Sequence, residues 1–144
     1  FARITTETKR AFGPDHPGLV CEPGRAMVAE AFTLAVRVKA VRANAVFLND
    51  GVYGALTELR DIGLPDRVQV MRADGTEVGG TTRPRVVFGP TCDSIDRLPQ
   101  KMPLPETIAE GDYVLIRAMG AYSTSISTGF NGYGDQEIVT VARL

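Results

Sequence analysis

From Thr33 onward, apolar and polar residues alternate along the chain. In "TLAVRVKAV" (33–41), Leu34, Val36, Val38 and Ala40 fall on one side, with Arg37 and Lys39 on the other. A period of two is that of a strand with one face buried. Five further stretches of similar length read as strands: "AVFLND", "DRVQVMRAD", "RPRVVFGP", "DYVLIRA" and "EIVTVARL". Turn chemistry separates them, at Asp50-Gly51, Asp74-Gly75, Gly79-Gly80 and Gly111-Asp112. Short strands joined by turns predict a mainly β fold, antiparallel or mixed, closed into a barrel or folded as a sandwich.

Upstream the pattern changes. Residues 1–12 carry Ile4 among charged and polar residues at helical spacing, which predicts a surface helix broken by "GPDHPG". "LVCEPGR" (19–25) reads as a short buried strand stopped at Pro23-Gly24, and "AMVAEAF" (26–32) as a helical stub. A helix followed by one buried strand is a piece of α/β architecture, and alone it would leave strand edges unpaired. With Phe rather than Met at position 1, the expectation is the last unit of a larger α/β barrel whose earlier part lies outside this chain.

Composition narrows the function classes. A chain of 144 residues is one ordinary domain, able to bury a core. Hydrophobic residues at 44% and charged residues at 23% are those of a soluble globular protein. A net charge of −1 without a basic block argues against a nucleic-acid partner. The longest apolar run, "AMVAEAFTLAVRV", is interrupted by Glu30 and Arg37, so no membrane span is expected. No secretory signal pattern opens the chain, and Cys21 and Cys92 have no framework of further cysteines. A reduced, cytoplasmic protein is expected. With His16 the only histidine, neither a Ser-His triad using Ser123 or Ser125 nor a His/Cys zinc site is expected.

Four stretches carry candidate chemistry, each with a plainer alternative. "CEPGR" (21–25) puts a carboxylate at a strand end and an arginine at a helix start, an arrangement suited to phosphate. Alternatively Glu22 and Arg25 pair with each other across the turn. "NDGVYG" (49–54) is a strong turn signal, with Tyr53 either packing or lining a site. In "GPTCDSID" (89–96), Gly-Pro interrupts the preceding strand, so Cys92 and Asp93 sit on a loop. Such a cysteine is either inert or a proton donor or nucleophile whose pKa is tuned by its surroundings. "MGAYSTSISTGFNGYG" (119–134), with Tyr122, Phe130, Asn131 and Tyr133, lines a site or fills a loop.

Taken in order, "EPGR", "NDGVYG", "GPTCDSID" and "GDYVL…MGAY…FNGY" resemble the C-terminal half of the alanine-racemase-type, fold-III pyridoxal-phosphate decarboxylases. The likeness is to ornithine decarboxylases and their bacterial lysine/ornithine relatives, from about residue 18 to 134. It implies that residues 1–30 are a remnant of the cofactor-binding (β/α)8 barrel, its last helix and strand, and that 31–144 form the C-terminal β domain. The cofactor implied is pyridoxal 5'-phosphate. Glu22 matches the carboxylate at the pyridine nitrogen, Gly24 and Arg25 the phosphate-binding turn, and Tyr122 a hydroxyl that also reaches the phosphate. Cys92 matches the cysteine that reprotonates the α-carbon, and Asp93 the carboxylate that grips the distal ammonium of a basic amino-acid substrate. In the family this pair reaches into the neighbouring subunit's site, which implies a homodimer. Tyr53 and Phe130 match pocket-lining positions.

Two departures qualify the match. The lysines are Lys9, Lys39 and Lys101, none in the context of the family's cofactor-bearing lysine, which lies early in the barrel. The chain by itself is expected to be inactive, with the missing N-terminal barrel as a required partner. Where the eukaryotic-type ornithine enzymes carry a "YDHAH"-like segment, this chain has "ALTELRDIGLPDR". Asp61 stands one place before the matching position, held by Ile62, and is the candidate for a second contact to the distal ammonium. The implied activity is decarboxylation of ornithine to putrescine, for polyamine synthesis. The alternatives are another fold-III enzyme acting on lysine, diaminopimelate or carboxynorspermidine, an alanine racemase, or a non-catalytic decarboxylase-like regulatory protein.

Overall fold

A computed structural model describes residues 1–63 and 66–142. The alternation seen from Thr33 becomes β1 (Thr33–Arg42), whose Val36 and Val38 are buried while Arg37 and Lys39 face solvent. The sheet continues with β2 (Ala45–Leu48), β3 (Val68–Met71), β4 (Thr82–Phe88), β5 (Met102–Pro105) and β6 (Tyr113–Arg117), in the order β3-β6-β1-β2-β4-β5. Pairing is antiparallel except between β2 and β4, and the six strands bend into a nearly closed, barrel-like sheet. Inward residues from all six strands, Val36, Val46, Val70, Val87, Leu104 and Ile116 among them, form one core cluster. Burying side chains of this kind stabilises by roughly 1.5–3 kcal/mol each.

Helices are confined to the flanks. The predicted surface helix is present as α1 (Ala2–Phe12), with no buried residue. The helical stub is one turn, α2 (Gly24–Val28), followed by a 3-10 turn at Ala29–Ala31. A third helical turn, α3 (Leu59–Ile62), buries Leu59.

Three strand expectations need correction. "LVCEPGR" is neither strand nor buried: Val20 is 90% exposed, and residues 19–23 pair with no strand among the described residues. An apolar segment becomes a strand only with at least one ladder partner, and the described sheet offers none there. "EIVTVARL" is also not a strand over 137–142, and Arg143 and Leu144 lie outside the described residues. A cleft of about 370 Å³ opens between this tail and the first half of β1, leaving Ile138 and Val139 exposed. Conversely β5, "MPLP", was not anticipated, because two prolines in four residues argue against a strand. It lies at the end of the sheet order, where a missing N–H is tolerated, and Pro103 and Pro105 face Pro84 and Thr82 of β4.

Candidate active site

Two clusters of side chains gather the positions singled out by sequence, and both are built around the turn that follows β2. Asn49 prolongs the β1–β2 ladder by exchanging hydrogen bonds with Arg37, one through its backbone N–H (3.0 Å) and one through its side-chain oxygen (2.6 Å). The buried carboxylate of Asp50 then accepts the N–H groups of Gly51 (2.8 Å) and Ala55 (3.1 Å). The chain coils through successive turns into α3 instead of reversing as a hairpin. Burial pushes the Asp50 carboxyl up, against the lowering effect of those two N–H donors.

The loop after β4 is tied to this turn by Asp96, which is 1% exposed. Its carboxylate accepts from the Val52 N–H (2.9 Å), the Thr91 N–H (3.0 Å) and the Thr91 hydroxyl (2.8 Å). Glycine is required on both sides of it, since a Cβ at Gly51 or Gly89 would overlap the Asp96 carboxyl. Asp96 therefore pins "GPTCD" against "NDGVYG", and the first cluster forms where they meet. The Tyr53 hydroxyl donates to Asp93 at 2.6 Å, and the Tyr53 and Phe130 rings lie 4.4 Å apart. Thr128 donates its N–H (2.8 Å) and hydroxyl (2.9 Å) to the Tyr53 carbonyl, drawing the 119–134 loop into place. On that loop Asn131, at a left-handed φ of 55°, directs its amide nitrogen to the Cys92 sulfur at 3.6 Å. Cys92 itself is exposed and unpaired with Cys21.

Asp93 is held below the usual carboxylate range, first by the Ile95 N–H (3.0 Å) and then by the Tyr53 hydroxyl, and the same bond pushes the Tyr53 phenol up. A depressed folded-state pKa means that ionisation favours the fold. This contribution is full above the unfolded value, about 3.9, and is lost as pH falls through the lower folded value. Tyr53→Phe is therefore expected to raise the Asp93 titration midpoint partway towards the ordinary value, the Ile95 donor remaining. Carboxyl-carbon NMR titration reads it, and an unmoved midpoint would remove Tyr53 from this role.

The second cluster joins α2 to the loop after β6. Met119 and Gly120 donate to the carbonyls of Phe32 (3.0 Å) and Ala29 (2.9 Å), bringing Tyr122, at a left-handed φ of 65°, over α2. The Arg25 guanidinium carbon lies 5.3 Å from the Tyr122 ring centroid. A Cβ at position 24 would stand 3.5 Å from the Tyr122 hydroxyl, so glycine leaves the space in front of that oxygen open. Backbone strain at a non-glycine residue is most often kept where it places a functional side chain. Gly24, Arg25 and Tyr122 thus fit a phosphate group: an open backbone, a guanidinium and a hydroxyl around one space.

Arg25 does not pair with Glu22. Its terminal nitrogens bind both carboxylate oxygens of Glu58, one at 2.9 Å, and this partner raises the guanidinium pKa. Glu22 is exposed with no side-chain partner among the described residues, and the same holds for Asp61 on α3. Leu64 and Pro65 of the "LPDR" run lie outside the described residues. Sequence reading missed Asp96, Asp50 and Glu58 as site residues, and had Asn131 only as part of a stretch that lines a site or fills a loop. Asp96 stands inside the quoted "GPTCDSID", and its aspartate–glycine neighbourhood was the available signal. Among the described residues no three His, Cys, Asp or Glu side chains gather as a metal site, and no helix is long and apolar enough to cross a membrane.

Residues 18–120 match the family model described as "Pyridoxal-dependent decarboxylase, C-terminal sheet domain". The chain belongs to that family. Its relatives include the chloroplastic ornithine decarboxylase of Nicotiana glauca, 38% identical over 137 residues (88% of this chain, 31% of the relative). Antizyme inhibitor 2 of Xenopus laevis is 32% identical over 132 residues (80% of this chain, 28% of the relative). Among solved structures, the arginine decarboxylase of Paramecium bursaria Chlorella virus superposes with a TM-score of 0.72 at 30% identity, covering 93% of this chain and 36% of that one. This decarboxylase sheet domain thus spans about a third of the length of the proteins it matches. Its mainly β architecture is that of the fold-III decarboxylases' C-terminal domain.

Proposed function

We propose that this chain is the C-terminal part of a pyridoxal-phosphate-dependent decarboxylase that removes the α-carboxylate of a basic amino acid, with ornithine the preferred substrate and putrescine the product. The convergence of Cys92, Asp93, Tyr53 and Phe130 in one cluster carries the reading. Residues scattered over 78 positions of sequence meet there in the arrangement that such chemistry needs (53 to 130). Family membership and the ornithine and arginine decarboxylases among its relatives support it. Residues 1–30 would complete the cofactor-binding barrel and 31–144 form the β domain.

When bound, pyridoxal phosphate supplies the electron sink for the pair left by departing CO2. Gly24, Arg25 and the Tyr122 hydroxyl would hold its phosphate. Glu22, exposed on this chain, would be the carboxylate that keeps the pyridine nitrogen protonated. Asp93, held ionised by the Ile95 N–H and the Tyr53 hydroxyl, receives the substrate's distal ammonium. Asp61, exposed and apart from this cluster, would supply a second carboxylate to that end only in the assembled site. Tyr53 and Phe130 flank the substrate's methylene chain and exclude water from it. Cys92 delivers a proton to the α-carbon after CO2 has left, with Asn131 holding the sulfur in place. Cys92 is exposed because it serves the site of a second subunit in a homodimer. Polyamine synthesis in the cytoplasm is the setting that this activity implies.

The test is CO2 release by the intact protein, reconstituted with pyridoxal phosphate, from ornithine, lysine, arginine and diaminopimelate. Ornithine is expected to lead, and Asp93→Ala to lower its kcat/KM by about 10- to 100-fold, the loss of one charge-assisted contact. Preference for diaminopimelate would transfer the assignment to that class. Silence on all four with cofactor bound would favour a non-catalytic role.

A further inference from the structure

Glu58 has no part in the functional reading so far, yet it is a carboxylate only 7% exposed. Its place is set by the core: Leu56 and Leu59 on either side of it are each 1% exposed. A buried carboxylate requires a partner. Its partner among the described residues is Arg25, 33 positions earlier, bound through both terminal nitrogens. We propose that Glu58 is a positioning residue for Arg25, clamping one edge of the guanidinium so that its other edge faces the cofactor phosphate.

The donor geometry allows both contacts at once. A guanidinium has five N–H groups in a rigid plane. The end-on pairing with Glu58 uses one hydrogen from each terminal nitrogen, which leaves Nε–H and the terminal N–H beside it free on the lateral edge. Those two are spaced for two phosphate oxygens. The Tyr122 ring at 5.3 Å covers one face. Without Glu58, Arg25 would stand on a single helical turn with a side chain 40% exposed, free among many rotamers. Ordering it would then fall to phosphate binding. Glu58 also adds negative charge, but it lies across the guanidinium from the phosphate and is neutralised by its ion pair with Arg25. Orientation is therefore the larger effect.

The inference rests on the phosphate reading of Arg25, and its test separates the two. Pyridoxal phosphate is titrated into the intact apoprotein by absorbance or fluorescence, with apoprotein melting measured alongside. Glu58→Ala is expected to weaken uptake about tenfold, equivalent to about 1.4 kcal/mol. Glu58→Gln, which retains an acceptor, should weaken it about threefold, and it decides the matter if the alanine variant does not fold. In an Arg25→Ala background, removing Glu58 should change affinity less than about twofold, because its partner is gone. A merely structural role would lower apoprotein melting without that dependence on Arg25. Unchanged or tighter uptake by the Glu58 variants, or a loss that persists without Arg25, would overturn the inference alone. An unsubstituted protein that takes up no pyridoxal phosphate would overturn the functional reading and this inference with it.

Discussion

Replacing Asp96 with alanine is expected to destabilise the fold by about 3–5 kcal/mol, the largest effect of any single polar substitution considered for this domain. Its carboxylate accepts three hydrogen bonds, two from backbone N–H groups on different loops. Each buried donor left unsatisfied costs about 1–3 kcal/mol. Asp96→Asn should retain little of this, since its amide nitrogen must face a donor. Asp66→Ala is the matching control, its side chain 98% exposed, and should lie within about 0.5 kcal/mol of the unsubstituted protein. Denaturation should show a lower midpoint at an unchanged slope. A loss below about 1 kcal/mol for Asp96→Ala would mean that the two loops hold together without it. Function should fall as well, since the Tyr53–Asp93 bond exists only while the loops stay in contact.

The second large effect concerns proton delivery. Cys92→Ala is expected to lower the rate of amine formation about 10²- to 10⁴-fold, the usual weight of a positioned acid. In the proposed site the substrate's distal end belongs to Asp93, so KM should change little. CO2 release should fall less than amine formation, because the proton enters after CO2 has left. Equal losses in both products, or none, would take the role from Cys92.

What the sequence reveals and what it hides follow from range. The β1 alternation is local, so Val36 and Val38 could be assigned to the core from their spacing. Cys92, Asp93, Tyr53, Phe130, Arg25 and Tyr122 were found as members of ordered motifs, and the structure brings them into two clusters. The supporting side chains act across long separations: Asp96 reaches Val52 over 44 residues and Glu58 reaches Arg25 over 33. No periodicity records such contacts. The strand reading of "LVCEPGR" went astray because an apolar run signals burial only when a partner covers it. Val20 is 90% exposed, and no strand among the described residues pairs with it. β5 was hidden by prolines that an edge strand accepts. Glu22 and Asp61 stand apart from both clusters, and nothing local in the sequence distinguished them from residues that converge.

The central claim is that the two clusters complete one active site drawn from two chains. It is tested by mixing two inactive forms of the intact protein, Glu22→Gln and Cys92→Ala, under conditions that exchange subunits, and measuring amine formation from ornithine. A shared site predicts that the mixture recovers up to about a quarter of the unsubstituted activity, since half the dimers are mixed and each carries one intact site. A mixture as inactive as its components, with exchange demonstrated, would contradict it.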